Sequence, residues 1–385
     1  MDKIWTEERL FFDGDEYFND LFAGIARAQV SIELETYIFC ADPLGRRVEE
    51  ALSMAARRGV NVRLLVDGIG GLGWFDNQSQ ELMASAVKFR VYHPVLISGF
   101  LKNRRRGTLL SRLNRRDHRK ICLIDAATVK AVAWVGSLNI AGSHCRSILG
   151  QDAWRDTGIR LRGEGLKDLL IAFNNAWARS HTADGKRRWR ESLQISSFGA
   201  DRISGERPKS PIVRLNYTRR LRHKNAFQLR TRLRTARQRI WITTAYFAPT
   251  PNLVRRLTDA AKRGVDVRIL VPRKSDVFFM PWVTTAHYAP LLVEKVRIFE
   301  YLPRFLHAKS IIVDDWVTVG TTNLNQRSLL YDFEVDIVIK NETSLRLIDE
   351  QFLKDLAQSE EVKVAPGGIA SFLGRLINFF WRRWI

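Results

Sequence analysis

Residues 117–125 read DHRKICLID, and residues 306–314 read LHAKSIIVD. Each holds His-x-Lys, four residues, then Asp: His118, Lys120 and Asp125 in the first, His307, Lys309 and Asp314 in the second. One such triplet says little, because a histidine beside an apolar run is more often packed than reactive. Two at identical spacing point to an internal duplication, and the flanking sequence supports it. AARRGVNVRLLV at 55–66 and AAKRGVDVRILV at 260–271 match almost residue for residue. Each follows an apolar run, a Pro-containing turn and an amphipathic helical stretch, and each breaks at a glycine, Gly59 or Gly264, placed as a helix C-terminal cap. Strand, helix and strand at short spacing form a βαβ unit, which requires a parallel or mixed sheet flanked by helices.

The expected fold is therefore α/β, built from two homologous domains. Boundaries are expected at 1–195 and 196–366, with a polar, Gly- and Ser-containing linker over 181–211 and a separate amphipathic helix at 367–385. A length of 385 residues suits two domains of ordinary size, and 45% hydrophobic residues suffice for their cores. Three cysteines, Cys40, Cys122 and Cys145, do not make a disulfide framework and suit a reducing compartment. The opening MDKIWTEERLFFDGDEYF interrupts its apolar residues with acids, so it reads neither as a signal peptide nor as a membrane span. No stretch approaches the ~20 apolar residues that a spanning helix needs.

The charge balance narrows the partners. Lys and Arg number 62 against 41 Asp and Glu, a net charge of +21, which calls for a polyanion: nucleic acid, an anionic membrane surface or a phosphate-bearing substrate. The duplicated triplet favours phosphate. In an extended run, residues i and i+2 project to the same side, so His118 stands with Lys120 and His307 with Lys309. An ammonium beside an imidazole is costly unless an anion shares the site. If two such pairs converged, one imidazole would attack phosphorus, the other would protonate the leaving alkoxide, and the lysines would neutralise the non-bridging oxygens. Downstream of each triplet lies a Gly turn, VGSLN and VGTTN, whose Ser137, Asn139, Thr322 and Asn323 are candidate donors to phosphoryl oxygens. A reactive His also needs a partner on its second nitrogen. Asp156 in WRDTGIRL and Glu334 in DFEVDIVI are the candidate orienting carboxylates.

With these residues in place, the chain resembles the phospholipase D superfamily over nearly its whole length, the duplicated H-x-K-x4-D pattern being its most specific mark. The resemblance implies one active site built from both halves, a covalent phosphohistidine, and no metal or other cofactor. It implies His118 and His307 as nucleophile and general acid/base, with His118 our choice as nucleophile although the repeat treats the two alike. Lys120, Lys309, Asn139 and Asn323 would bind phosphate. Asp125 and Asp314 belong to the same motif and are expected to serve the structure. Two departures stand out: the interval from Asp125 to Gly136 is longer than that from Asp314 to Gly320, and Thr321-Thr322 stands where a serine is usual.

Within the superfamily the chain is most similar to bacterial cardiolipin synthases, of the cardiolipin synthase B type without N-terminal membrane helices. HRKICLID with GSLN, WRDTGIRLRG, and HAKSIIVDD followed by TTNLNQRSLLYDFE carry that likeness. It implies transfer of a phosphatidyl group from phosphatidylglycerol, or a similar phospholipid, to the hydroxyl of a second phosphatidylglycerol or another alcohol. The expected location is peripheral, on the cytoplasmic face of the bacterial inner membrane, with no obligatory protein partner. The alternatives are a hydrolase or a nuclease of the same superfamily, and nucleic acid is the less favoured partner. Two stretches, 94–116 and the C-terminus, bear on lipid, and a second basic cluster at 219–224 reads equally as a plain charged face. The basic, apolar-interleaved run 94–116 precedes His118. A cluster of Arg219, Arg220, Arg222, His223 and Lys224 follows the linker. At the C-terminus, Ile369, Phe372, Leu373, Leu376, Ile377, Phe380 and Trp384 would share one helical face, either against an anionic leaflet or against the protein itself.

Overall fold

The computed structural model describes residues 5–94, 115–182, 208–367, 374, 376 and 377. The chain divides into two compact units, Met1–Leu149 with Gly158–Val213, and Gly150–Thr157 with Arg214–Ile385. The main division thus falls at 213/214. The boundary expected at 195/196, most of the linker, residues 95–114 of the basic run and most of the C-terminal stretch lie outside the described residues.

In the first unit eight strands form one sheet: β1 (Glu7–Phe11), β2 (Ser31–Thr36), β3 (Asn61–Asp67), β4 (Lys88–Tyr92), β5 (Ile121–Ile124), β6 (Val132–Gly136), β7 (Gly158–Arg162) and β8 (His181–Thr182). Their order is β1-β7-β6-β5-β2-β3-β4-β8. The second unit repeats the design with β9 (Val213–Leu215), β10 (Arg239–Thr243), β11 (Asp266–Pro272), β12 (Arg297–Tyr301), β13 (Ser310–Val313), β14 (Trp316–Gly320), β15 (Val335–Val338) and β16 (Ser359–Val362). Its order, β9-β15-β14-β13-β10-β11-β12-β16, is strand for strand the same. Both sheets are mixed: β2, β3 and β4 run parallel, as do β10, β11 and β12, while β2–β5 and β10–β13 are antiparallel.

The helices form for reasons written locally. Helix α1 (Gly14–Arg27) is capped by Asp13, whose carboxylate accepts from the amides of Asp15 and Glu16. Helix α2 (Pro43–Arg57) begins with an Asp42 cap and a proline at its first turn, and its repeat equivalent, here α5 (Pro251–Lys262), has Thr250 followed by Pro251. Between them in sequence lie α3 (Leu166–Arg179) and α4 (Arg219–Thr235); α6 (Glu342–Ala357) closes the series. Both α2 and α5 end at a glycine in the left-handed region, Gly59 at φ +90° and Gly264 at φ +88°, where a Cβ would strain the backbone. Leu44, Val48, Leu52 and Ala55 then line up along α2 and are fully buried against the first sheet. Each large side chain so buried contributes about 1.5–3 kcal/mol.

Both motif aspartates hold backbone amides. Asp125 has φ +51° and accepts from the backbone amides of Gln29, Val30 and Ser31 at 2.6–3.1 Å, tying the end of β5 to the start of β2. Asp314 has φ +53° and accepts from the amides of Arg237, Gln238 and Arg239, tying β13 to β10. Each is a clasp between two strands. Burial pushes the Asp314 carboxyl up, but the three amide hydrogen bonds and the Arg239 charge outweigh it and hold the group below its ordinary range. A depressed carboxyl stabilises the fold above its unfolded value of ~3.9, and that stabilisation is lost as pH falls through the folded value. Asp314→Ala is therefore expected to lower stability by about 1–2 kcal/mol at pH 7, and its melting curve should approach that of the native chain as the pH falls below the ordinary carboxylate range. An Asp314→Ala protein as stable as the native one at neutral pH would remove the clasp. The longer interval after Asp125 is a longer hairpin: Ile124 pairs with Val132, whereas Val313 pairs with Trp316 across a two-residue turn.

Candidate active site

His118 and Lys120 lie in the extended segment just ahead of β5, and His307 and Lys309 just ahead of β13, rather than within the strands. The two-residue alternation holds there. All four side chains are buried, and each lysine folds back on its own segment: Lys120 Nζ donates to the carbonyl of His118 at 2.7 Å, and Lys309 Nζ donates to the carbonyl of His307. Aromatic rings flank both imidazoles. In the first unit Tyr37 meets His118 edge-on with ring centres 5.1 Å apart, and Lys120 Nζ lies 5.4 Å from the same tyrosine ring. In the second unit Trp154, Phe305 and Tyr246 surround His307 with ring centres at 5.1, 5.7 and 6.4 Å.

His307 has its orienting acid. Its Nδ1 lies 2.7 Å from Asp156 Oδ1, both groups being buried. With Nδ1–H donating to the carboxylate, the lone pair stays on Nε2, the nitrogen left to react. Asp156 is encoded among the first-repeat residues, yet its segment, Gly150–Thr157, packs with the second unit. Arg155 holds it there: its backbone amide donates to the Phe305 carbonyl, its own carbonyl accepts from the amides of His307 and Ala308, and its guanidinium grips Asp355 at 3.1 and 2.7 Å. Nothing in the spacing of the repeats signals this exchange. Asp156→Ala is expected to lower kcat by about 10²-fold while leaving KM within a few-fold, because the imidazole loses its tautomer and its aim rather than its substrate contacts. A KM effect without a kcat effect would remove Asp156 from this part.

Glu334, the matching residue ahead of β15, is buried. Its carboxylate accepts from Thr321 Oγ1, and its amide donates to Asn216 Oδ1 at 2.6 Å. Asn139 is buried with Oδ1 accepting from the Ile38 amide at 3.2 Å, which leaves its NH2 as the donor for a phosphoryl oxygen. Asn323 is buried with an unpartnered Oδ1. Ser137 is fully buried. Thr322 needs correction: its hydroxyl donates to Asp336 Oδ2 at 2.9 Å and its amide to Asp336 Oδ1 at 3.2 Å, so both donors are committed within the fold. Counting from the glycines, GSLN against GTTN, the counterpart of Ser137 is Thr321, which the sequence reading passed over.

A buried ionic cluster lies under the first triplet. Arg119, between His118 and Lys120, is wholly buried and bonds Glu35 at 2.6 Å and Asp117 at 2.8–2.9 Å. Beside it Arg116 bonds Asp67 at 2.6–2.9 Å, and Asp67 accepts from the Asp117 amide. Burial pushes the Glu35 carboxyl well above its ordinary range. Burial also pushes Asp117 up, but the Arg119 guanidinium overrides it and holds that carboxyl low. The second unit has none of it: Phe305, Leu306, Ala308 and Thr243 occupy the places of Arg116, Asp117, Arg119 and Glu35, the last pair confirmed by register, since Glu35 pairs with Ile121 and Thr243 with Ser310.

Comparison with known proteins meets the same duplication. The family described as cardiolipin synthase, PLD-like domain, matches twice, over residues 21–149 and 229–356. The chain belongs to that family. Both matched ranges of this cardiolipin synthase-family chain contain one His-x-Lys triplet. A cardiolipin synthase of Clostridium perfringens strain SM101 is 31% identical over 378 residues, which is 95% of this chain and 74% of that protein. The cardiolipin synthase of Alkalihalophilus pseudofirmus is 30% identical over 381 residues, 97% of this chain and 70% of that one. The probable cardiolipin synthase YwiE of Bacillus subtilis is 29% identical over 361 residues, covering 92% and 67%. Among solved structures, phosphatidylserine synthase of Haemophilus influenzae superposes with a TM-score of 0.69 at 13% identity, covering 97% of this chain and 92% of that one. That likeness speaks to the fold alone.

Proposed function

We propose that this chain is a phosphatidyltransferase that makes cardiolipin from two molecules of phosphatidylglycerol, or from phosphatidylglycerol and a similar phospholipid. The observation that carries the reading is His307, buried, with Nδ1 held at 2.7 Å by Asp156 and Lys309 on the same segment, in a chain of the cardiolipin synthase family. By analogy within the repeat, His118 and Lys120 take the matching part in the first unit, and Glu334 is the second candidate orienting carboxylate. In this reading the two triplets serve one phosphorus atom. One imidazole Nε2 attacks the donor phosphorus, a P–N bond forms, and the P–O bond to glycerol breaks as the other imidazole, protonated, gives its proton to the leaving oxygen. That second imidazole then takes the proton from the hydroxyl of the acceptor lipid, whose oxygen attacks phosphorus and breaks the P–N bond. The lysines and the amides of Asn139 and Asn323 stabilise the charged equatorial oxygens. The side chains supply nucleophile, acid, base and charge stabilisation, so the scheme calls for no metal.

No helix among the described residues is long and apolar enough to cross a membrane. The proposed place of work is the cytoplasmic face of the bacterial inner membrane, where the anionic substrate is also the surface. The test is incubation of the full chain with phosphatidylglycerol vesicles, followed by mass spectrometry of the lipids and of an acid-labile phosphohistidine. Cardiolipin with released glycerol is expected. Phosphatidic acid in its place would make water the acceptor, and cleavage of plasmid DNA with untouched lipid would make the chain a nuclease.

A further inference from the structure

Helix α4 reads RRLRHKNAFQLRTRLRT, with seven Lys or Arg and no Asp or Glu. It packs on α5 through Leu229 and Leu233, its buried residues. Successive residues turn by ~100°, which places Arg219, Arg220, His223, Lys224, Phe227, Arg230 and Arg234 together on the opposite face, and all are exposed. Phe227 stands in the middle of that face, 68% exposed. Among the described residues none of Arg219, Arg220, Lys224, Arg230 or Arg234 has a carboxylate partner; the contacts they make are Arg219 to the His223 ring and Arg230 to the Ala226 carbonyl. Elsewhere on the same unit some exposed cations are matched, Arg297 with Glu361, Arg273 with Glu360 and Lys262 with Glu294, whereas Arg255, Lys274, Lys295 and Arg346 are single and scattered; on α4 the unmatched cations share one face.

The internal repeat supplies the control. Helix α1 holds the corresponding place, between the edge strand and the central βαβ unit, and carries Asp15, Glu16 and Asp20 against a single Arg27. The fold therefore needs no cationic helix there. Five like charges on one face, Arg219, Arg220, Lys224, Arg230 and Arg234, repel one another, and an exposed phenylalanine at their centre adds nothing to the core. Cations ringing an apolar residue complement a surface with phosphate headgroups above and hydrocarbon beneath.

We infer that the outer face of α4 is the docking surface of this chain for an anionic phospholipid bilayer, with Phe227 inserted among the acyl chains and the surrounding arginines and lysine on the headgroup phosphates. The choice of lipid rests on the phosphatidyl-transfer reading; the surface itself does not. The test uses the full chain, sedimented with vesicles of equimolar phosphatidylglycerol and phosphatidylcholine or of phosphatidylcholine alone. The native chain is expected to favour the anionic vesicles and to release them at high salt. Arg220→Glu/Lys224→Glu/Arg230→Glu should cut anionic partitioning on the order of 100-fold, since each cation removed is worth about fivefold, and Phe227→Ser alone should cut it about tenfold with its melting temperature unchanged. Vesicle binding by both variants equal to that of the native chain would overturn the inference. So would a triple variant that keeps vesicles but loses duplex DNA, which would assign the face to nucleic acid. Transfer activity on short-chain phosphatidylglycerol dispersed below its micelle concentration separates the two readings. The variants should retain it, while its absence in the native chain would remove the transferase reading and leave the docking measurement standing.

Discussion

His307→Ala is expected to lower cardiolipin formation by at least about 10³-fold, and His118→Ala by a comparable factor, each with the folded state retained at the assay temperature. The expectation follows from what the imidazoles are asked to do. An aligned nucleophile and a positioned acid each contribute roughly 10²–10⁴-fold, and members of one catalytic unit do not lose activity additively. The double variant should therefore be little worse than either single one. Lipid mass spectrometry gives the rate, and rapid acid-free quenching gives the phosphorylated intermediate. The two variants should differ there: the one lacking the nucleophile forms no phosphohistidine, whereas the one lacking the acid loads slowly and keeps its load. Substantial turnover in either single variant would sink the paired-histidine mechanism.

Arg119→Ala is expected to destabilise the first unit by about 3–5 kcal/mol, the usual cost of breaking a buried ion pair from one side. Domains are stable by only ~5–15 kcal/mol, so the melting transition should fall by roughly 10 °C. The cause is that Asp117 and Glu35 are both left in the interior without the guanidinium that bonds them. The second unit shows how the same fold does without them. Copying its residues, as Arg119→Ala with Asp117→Leu and Glu35→Thr, removes Arg119 with both carboxylates that bond it and should recover most of the loss, because an uncharged replacement leaves no orphaned charge while Arg116 keeps Asp67. A triple variant less stable than Arg119→Ala alone would show that the cluster stabilises by its packing rather than by pairing.

Much of the architecture was legible because duplication prints itself in residue types with local duties. Gly59 and Gly264 both sit at φ near +90°, where only a left-handed residue ends a helix well. Asp125 and Asp314 recur because each clasps three backbone amides. His118, Lys120, His307 and Lys309 were readable from spacing alone. What stayed hidden depends on pairing across long separations. Arg119 looks like one more basic residue until Glu35, distant in sequence, is found beneath it. The part of Asp156 was foreseen, but not which imidazole it serves, since that follows from Arg155 reaching Asp355. Thr321 and Thr322 are equivalent in one dimension, and only the fold decides that the first hydroxyl meets Glu334 and the second Asp336.

The exchange of residues 150–157 reaches beyond this site. The repeat in sequence and the unit in space do not coincide: the carboxylate that aims His307 is encoded upstream of the second repeat. Severing the polypeptide anywhere between the repeats would leave the downstream fragment with an imidazole and no acid of its own. A relative built from a single repeat would have to borrow that acid from a second molecule, so fusing two copies into one chain turns an obligation between subunits into a covalent guarantee.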